Sequence, residues 1–445
     1  MQPDSSKTDK SSSSTAFNRQ LLQTYIALDN WHKFRLRLFV EGIFVGILGG
    51  LAISLFRFLL GEAEKYRIFL YNTYIIPGFS AGDFKPLLFW LAILAIAGLA
   101  LYGMGRYAPE AGGSGIPQVK GVILGVMRMR WIRILWVKIL AGAVGIGAGL
   151  SLGREGPSIQ IGAVAAQGMS RLLGRTRMEE RYLITSGASA GLAAAFNAPL
   201  AGMMFALEEL HRNFSGAVLL PTMTSAITAT IVTRFFFGTN TSFTITHLVP
   251  VPANHLGYVV ILAIASGFAG IFFNWGLLNI SKFYNLPIFR NNFMKIAFAL
   301  LSACFLGFTL PDVLGGGNFL VDKLAEYPYT LSMILLLFVG KYIFTLISYG
   351  CGVPGGFFLP LLVITDIYIP NIVIIGMVSL FAASVRSPIT GTLLILEMTG
   401  DFGHLMSLAL ASAVAYIVAE LLHGEPIYDS LLKRSLASHP DKKAE

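Results

Sequence analysis

The apolar runs of this chain have the wrong lengths for a plain bundle of spanning helices. They lie at about 38–60, 86–104, 132–152, 157–173, 183–207, 216–237, 257–281, 293–311, 330–350, 355–368, 371–385, 388–399 and 405–422. A simple membrane span takes roughly 20 apolar residues. Several runs are shorter, and several abut across Gly or Pro. Such segments survive in a bilayer only where they line a cavity or pack inside protein. The pattern predicts an all-α polytopic membrane protein with tilted, broken and re-entrant helices. Composition agrees, since the chain is 55% hydrophobic and only 13% charged, against about 25% charge in a soluble domain. A net charge of +9 suggests nucleic acid in a soluble protein. Here the basic residues lie between apolar runs, so no nucleic-acid partner is expected.

Residues 1–32 are polar at their start and lack the apolar core of a signal peptide. They are expected to form a disordered cytosolic tail, as are residues 437–445. Residues 33–436 then form one membrane domain. Lys33, Arg35 and Arg37 precede its first apolar run, and Arg128, Arg130 and Arg133 cluster at the third. Arg171, Arg175, Arg177 and Arg181 follow the fourth, and Lys433 and Arg434 follow the last. The positive-inside rule then puts both termini in the cytoplasm. Cys304 and Cys351 give neither a disulfide framework nor metal spacing, and no cofactor or metal is expected.

An internal repeat is visible. AAAFNAPLAGMMFALE (193–208) and AASVRSPITGTLLILE (382–397) match at Ala193/Ala382, Ala194/Ala383, Pro199/Pro388, Gly202/Gly391 and Glu208/Glu397, at one offset of 189. Duplicated membrane halves put a binding site near the midplane, between the halves.

Three segments share a design: AGGSGIPQ (111–118), GREGP (153–157) and GVPGGFFLP (352–360). Each places Gly and Pro just before an apolar run. Pro suits the first helical turn, and Gly lets backbone approach a ligand closely. A helix N-terminus presents free N–H groups and partial positive charge, so it holds anions. Three such starts converging would bind a small anion weakly enough to release it. Ser114 is either a further hydroxyl donor or a helix cap. Glu155, an acid within apolar sequence, reads as functional by default. At a helix N-terminus it would compete with an anion when charged and swing away when protonated. The alternative is a local pair with Arg154. Glu208 and Glu209 are either a solvated helix end or a second proton station. GASAG (187–191) matches a serine-nucleophile pattern around Ser189, but lies in an Ala-rich helical run.

With these residues in place, the chain resembles the CLC chloride channel/transporter family, from about residue 36 to 436. GSGIP (113–117), GREGP and GVPGGFFLP resemble the family's anion-site signatures. FNAPLAG (196–202) with Glu208-Glu209 resembles its inner-glutamate helix, and HGEPIYDSLL (423–432) its last helix. The resemblance implies a homodimer of two-repeat subunits, with repeats at roughly 33–238 and 255–422 and a C-terminal helix at 425–436. It implies chloride held by Ser114, Gly115, Ile116, Gly156, Phe357, Phe358 and Tyr428. It implies a gating glutamate at Glu155 and an internal proton glutamate at Glu209. Both acids together favour a chloride/proton antiporter over a passive channel of the same family. The family's C-terminal nucleotide-binding pair of domains is not seen in this sequence, which leads to the expectation of a bacterial-type plasma-membrane transporter and not an enzyme. The remaining rivals are an organic-anion transporter and, remotely, an intramembrane hydrolase using Ser189. The 361–375 connection is shorter than the family pattern.

Overall fold

This computed structural model describes residues 9–243, 250–317, 320, 330–355 and 370–438. Among them every regular element is helical. In order these are α1 (Asp9–Leu70), α2 (Ile76–Ser80), α3 (Lys85–Tyr107), α4 (Ile116–Ile123), α5 (Trp131–Gly147), α6 (Glu155–Leu172), α7 (Arg177–Phe196) and α8 (Pro199–Phe205). There follow α9 (Gly216–Phe237), α10 (Leu256–Phe283), α11 (Asn292–Thr309), α12 (Leu331–Gly350), α13 (Pro370–Val385), α14 (Pro388–Thr399), α15 (Leu405–Leu421) and α16 (Ile427–Ser438). Seven helices among the described residues are long and apolar enough to cross a membrane. Shorter helices lie between them, as the run lengths predict. α1 begins at Asp9, within the stretch read from sequence as a tail. No Pro or Gly falls between Asp9 and Gly42, so nothing in the backbone stops the helix.

The shorter helices pack closely. A Cβ on Gly162 of α6 would lie 2.1 Å from Gly187 O of α7, and one on Gly191 would lie 2.2 Å from Ser158 O. GASAG is therefore a small-residue face that lets two helix backbones touch. Ser189 lies in mid-helix and donates to Thr222 O at 3.2 Å. That is not the strand-to-helix elbow a serine nucleophile needs.

The repeat is reproduced in the backbone. α7 ends at Asn197 (φ 61°) and α13 ends before Arg386 (φ 72°), 189 residues on. Both residues are left-handed without being glycine. The following residues, Ala198 and Ser387, share φ −124° with ψ of 78° and 74°, and each precedes a proline-started helix, α8 and α14. The halves also cap each other. Glu208 accepts from Ile389 N (3.2 Å) and Thr390 N (2.8 Å) at the start of α14. Glu397 accepts from Leu200 N (3.0 Å) and Ala201 N (2.7 Å) at the start of α8. Each carboxylate satisfies the orphan N–H groups of the other repeat's short helix.

Candidate anion passage and its two buried glutamates

Ser114, Gly115 and Ile116 form the entry to α4. Gly115 is at φ +88°, a conformation that suits glycine and turns the chain into the helix. Ser114 is buried, accepts a long bond from Ile116 N (3.4 Å) and is hydrogen-bonded by Tyr349. It is thus a partial cap whose hydroxyl belongs to a larger polar cluster. Lys138 of α5, fully buried, donates to Ala111 O (2.9 Å) and Gly113 O (2.7 Å). It pins the turn by its carbonyls.

The start of α6 meets this turn. A Cβ on Gly156 would lie 2.6 Å from Ser114 O, so only glycine permits the contact. The third glycine-rich segment joins through Gly355 N, which donates to Gly113 O at 3.0 Å. Phe357 and Phe358 lie outside the described residues. The expected meeting of helix starts therefore holds for α4 and α6.

Glu155 is the first residue of α6 and is 1% exposed. Its carboxylate folds back over Gly153, where a Cβ would lie 1.9 Å from Glu155 Oε2. Arg154 turns elsewhere, over the Phe196 ring at 5.8 Å. With Arg57 and Arg234 it lines a cavity of about 250 Å³.

Glu209 sits in a π-helical turn, Ala206–His211, which continues α8. Such turns widen a helix and recur at functional sites. Its Oε1 is 2.7 Å from Lys120 Nζ, with both side chains 2% exposed. Ser387 Oγ donates to its Oε2 at 3.3 Å. Lys120 also pairs with Asp429, which receives Arg212 Nη2 at 2.7 Å. Asp429 lies on the C-terminal helix. Burial works against its charge, but the bonds and charges of Lys120 and Arg212 outweigh that and hold its carboxyl below the usual range. The neighbouring Tyr428 is buried, edge-on to Phe205 at 6.4 Å, and within electrostatic reach of both Glu155 and Glu209.

Of the residues singled out from sequence, Ser114, Gly115, Ile116, Glu155 and Gly156 form one cluster. Tyr428 lies within electrostatic reach of Glu155 in that cluster and of Glu209. Glu208 is set apart as a helix cap. Lys120, Lys138 and Asp429 were missed. The signal that could have found the lysines is a cation interrupting an apolar helix, as Lys138 interrupts ILWVKILAG.

A twinned helical membrane fold, with helix starts facing one buried cluster, defines an ion-handling membrane protein. Residues 93–420 match the family described as voltage gated chloride channel, and the chain belongs to this CLC family. It is 35% identical over 423 residues to the H(+)/Cl(-) exchange transporter ClcA of Vibrio cholerae, with 88% of each chain covered. It is 35% identical over 428 residues to the transporter of that name from Vibrio campbellii, with 90% of this chain and 89% of the relative covered. Among solved structures it is similar to a slow cyanobacterial Cl-/H+ antiporter. That match has a TM-score of 0.83 and 33% identity, and covers 91% of this chain and 99% of the other.

Proposed function

We propose that this protein exchanges chloride for protons across a bacterial-type plasma membrane, as a homodimer with both termini cytoplasmic. The observation that carries the reading is the position of Glu155, a buried carboxylate at the start of α6, against the Ser114 turn. A charged Glu155 occupies space that a chloride ion would take at the same helix start. Protonation removes that attraction and frees the position. Chloride is held by Ser114, Gly115, Ile116 and Gly156, with Tyr428 closing the inner end. By resemblance, Phe357 and Phe358 add backbone donors.

Glu209 is the second proton station. Tyr428 lies within electrostatic reach of both acids, so the anion constriction and the two proton sites share one neighbourhood. The relatives named as exchange transporters support the same reading.

The test uses purified protein in liposomes. A chloride gradient is imposed without a pH gradient, voltage is clamped near zero, and external pH is recorded. Uphill proton movement is expected. Glu155→Ala is expected to keep chloride flux and lose proton coupling, and Glu209→Gln to lose coupling as well. Chloride flux without proton movement in the wild type would make the protein a passive channel.

A further inference from the structure

A second positively charged feature lies apart from the anion passage. The turn after α4 and the α6–α7 junction enclose an open cavity of about 420 Å³. Thr185, one turn from Arg181, bonds His211 at 3.1 Å, which places the cavity at the same end of the molecule as Arg212 and Asp429. Arg128, Arg171, Arg177 and Arg181 line it, together with Gln167 and Glu180. Glu180 is the one carboxylate among the lining residues. Its Oε1 accepts from Gln167 Nε2 (3.0 Å) and Arg171 Nε (3.1 Å). Four guanidinium groups against one carboxylate leave the lining with an excess of three positive charges. Arg181 is pressed against the α4–α5 turn, since a Cβ on Gly125 would lie 2.4 Å from its Nη2.

Several lining residues have exposed apolar neighbours in the chain. Leu172 (80% exposed) follows Arg171, Met178 (54%) follows Arg177, and Leu124 (56%) precedes Gly125. A basic cavity whose lining residues alternate in the chain with exposed aliphatic ones suits an amphiphile with an anionic head. The planar, forked guanidinium matches the oxygens of phosphate in a way a spherical halide does not require. The cavity is also far larger than a single chloride ion needs.

We propose that this cavity binds a phosphate group, supplied by the headgroup of an anionic membrane lipid. The site is separate from the chloride passage and does not rest on the transport reading.

The protein is reconstituted in nanodiscs of phosphatidylcholine, with and without phosphatidylglycerol. Lipid retained after transfer to detergent is counted by native mass spectrometry, and the thermal midpoint is measured. The wild type is expected to retain phosphatidylglycerol and to melt higher with it. R171Q/R181Q is expected to cut retention by about thirtyfold, following the contribution of each of the two basic residues at a membrane surface. Its midpoint in phosphatidylcholine should match the wild type, which separates lost binding from failed folding. R171K/R181K keeps the charge but not the fork, and should retain an intermediate amount. K433Q/R434Q removes the same charge from the exposed end of α16 and should retain as much as the wild type.

A second arm titrates pyrophosphate in detergent. A rise in midpoint that R171Q/R181Q abolishes would confirm the phosphate site and add a soluble source. Two results would overturn the proposal. One is wild-type protein that neither retains phosphatidylglycerol above phosphatidylcholine nor responds to pyrophosphate. The other is an equal loss in K433Q/R434Q, which would mean diffuse attraction to a basic face.

Discussion

Lys120 Nζ stands 2.7 Å from Glu209 Oε1, and both side chains are sealed from solvent. Lys120 belongs to α4, the helix whose first residues carry the Ser114 turn. It also pairs with Asp429, which follows Tyr428 on α16. One ammonium group thus joins the serine-bearing helix, the tyrosine-bearing helix and the inner glutamate. Lys120 thus ties Glu209 to the helices that carry Ser114 and Tyr428.

Removing one partner of a buried ion pair leaves an uncompensated charge and costs about 3–5 kcal/mol. Lys120→Met should therefore lower the thermal midpoint and reduce proton flux more than chloride flux. The double variant Lys120→Met/Glu209→Gln should be less destabilised than the sum of the singles, by about 0.5–3 kcal/mol of coupling. Thermal midpoints in detergent and chloride-to-proton ratios in liposomes check this. Strict additivity with an unchanged ratio would mean that the pair links nothing.

Gly153 is set by its neighbour two residues on. Its φ is not in the left-handed region, so alanine is acceptable to the backbone, but the new methyl would collide with Glu155 Oε2. Gly153→Ala should displace the Glu155 carboxylate and slow coupled turnover. A misplacement of about 1 Å costs roughly a hundredfold at a reacting centre. With Glu155 already replaced by alanine, adding Gly153→Ala should change chloride flux little, because the obstructed group is gone. Chloride efflux from liposomes measures both. A large further loss in the double variant would show that Gly153 acts independently of Glu155.

Glu208 and Glu397 predict a different outcome from Glu209, although Glu208 is adjacent to it. Each caps a short helix of the opposite repeat through two backbone N–H groups. Glu208→Gln and Glu397→Gln should each cost about 0.5–2 kcal/mol, the range for a lost helix cap. Glu208 also accepts from Thr390 Oγ1 at 2.7 Å, so its loss should cost the more of the two. Neither should alter the chloride-to-proton ratio, whereas Glu209→Gln should. Loss of coupling in Glu208→Gln would move the proton station to Glu208.

The sequence carried the repeat because its residues are needed by the backbone. Pro199 and Pro388 start short helices, and Glu208 and Glu397 cap them, so the 189-residue offset survives as identities. Asn197 and Arg386 share a left-handed conformation without sharing a residue type, and only coordinates reveal that match. The helix starts at Ser114 and Glu155 were legible because Gly and Pro mark them. Lys120, Lys138 and Asp429 were not. A lysine written in sequence reads as surface charge, and its burial depends on a carboxylate 89 residues away for Lys120 and on a carbonyl turn for Lys138. The start of α1 is not marked in the sequence for a related reason, since polar composition argues against a packed core but does not forbid a helix.

The turn before α7 yields a pH-dependent prediction away from the membrane spans. Thr176 and Glu179 form a capping box, with Thr176 N donating to Glu179 Oε2 (3.0 Å) and Glu179 N to Thr176 Oγ1 (3.3 Å). Arg37 adds an ion pair. Burial works against the Glu179 charge, but the Thr176 bonds and the arginines outweigh it and hold the carboxyl below its ordinary value. A carboxyl depressed in the folded state stabilises above its unfolded value of about 4.3, and that contribution fades as pH falls through the folded value. Glu179→Gln should therefore lower the thermal midpoint at neutral pH, by an amount corresponding to about 0.5–2 kcal/mol. The difference from wild type should shrink steadily below about pH 4. Melting curves of both proteins across that range decide it. An equal difference at pH 7 and at low pH would assign the effect to neutral hydrogen bonding, with no contribution from the Glu179 charge.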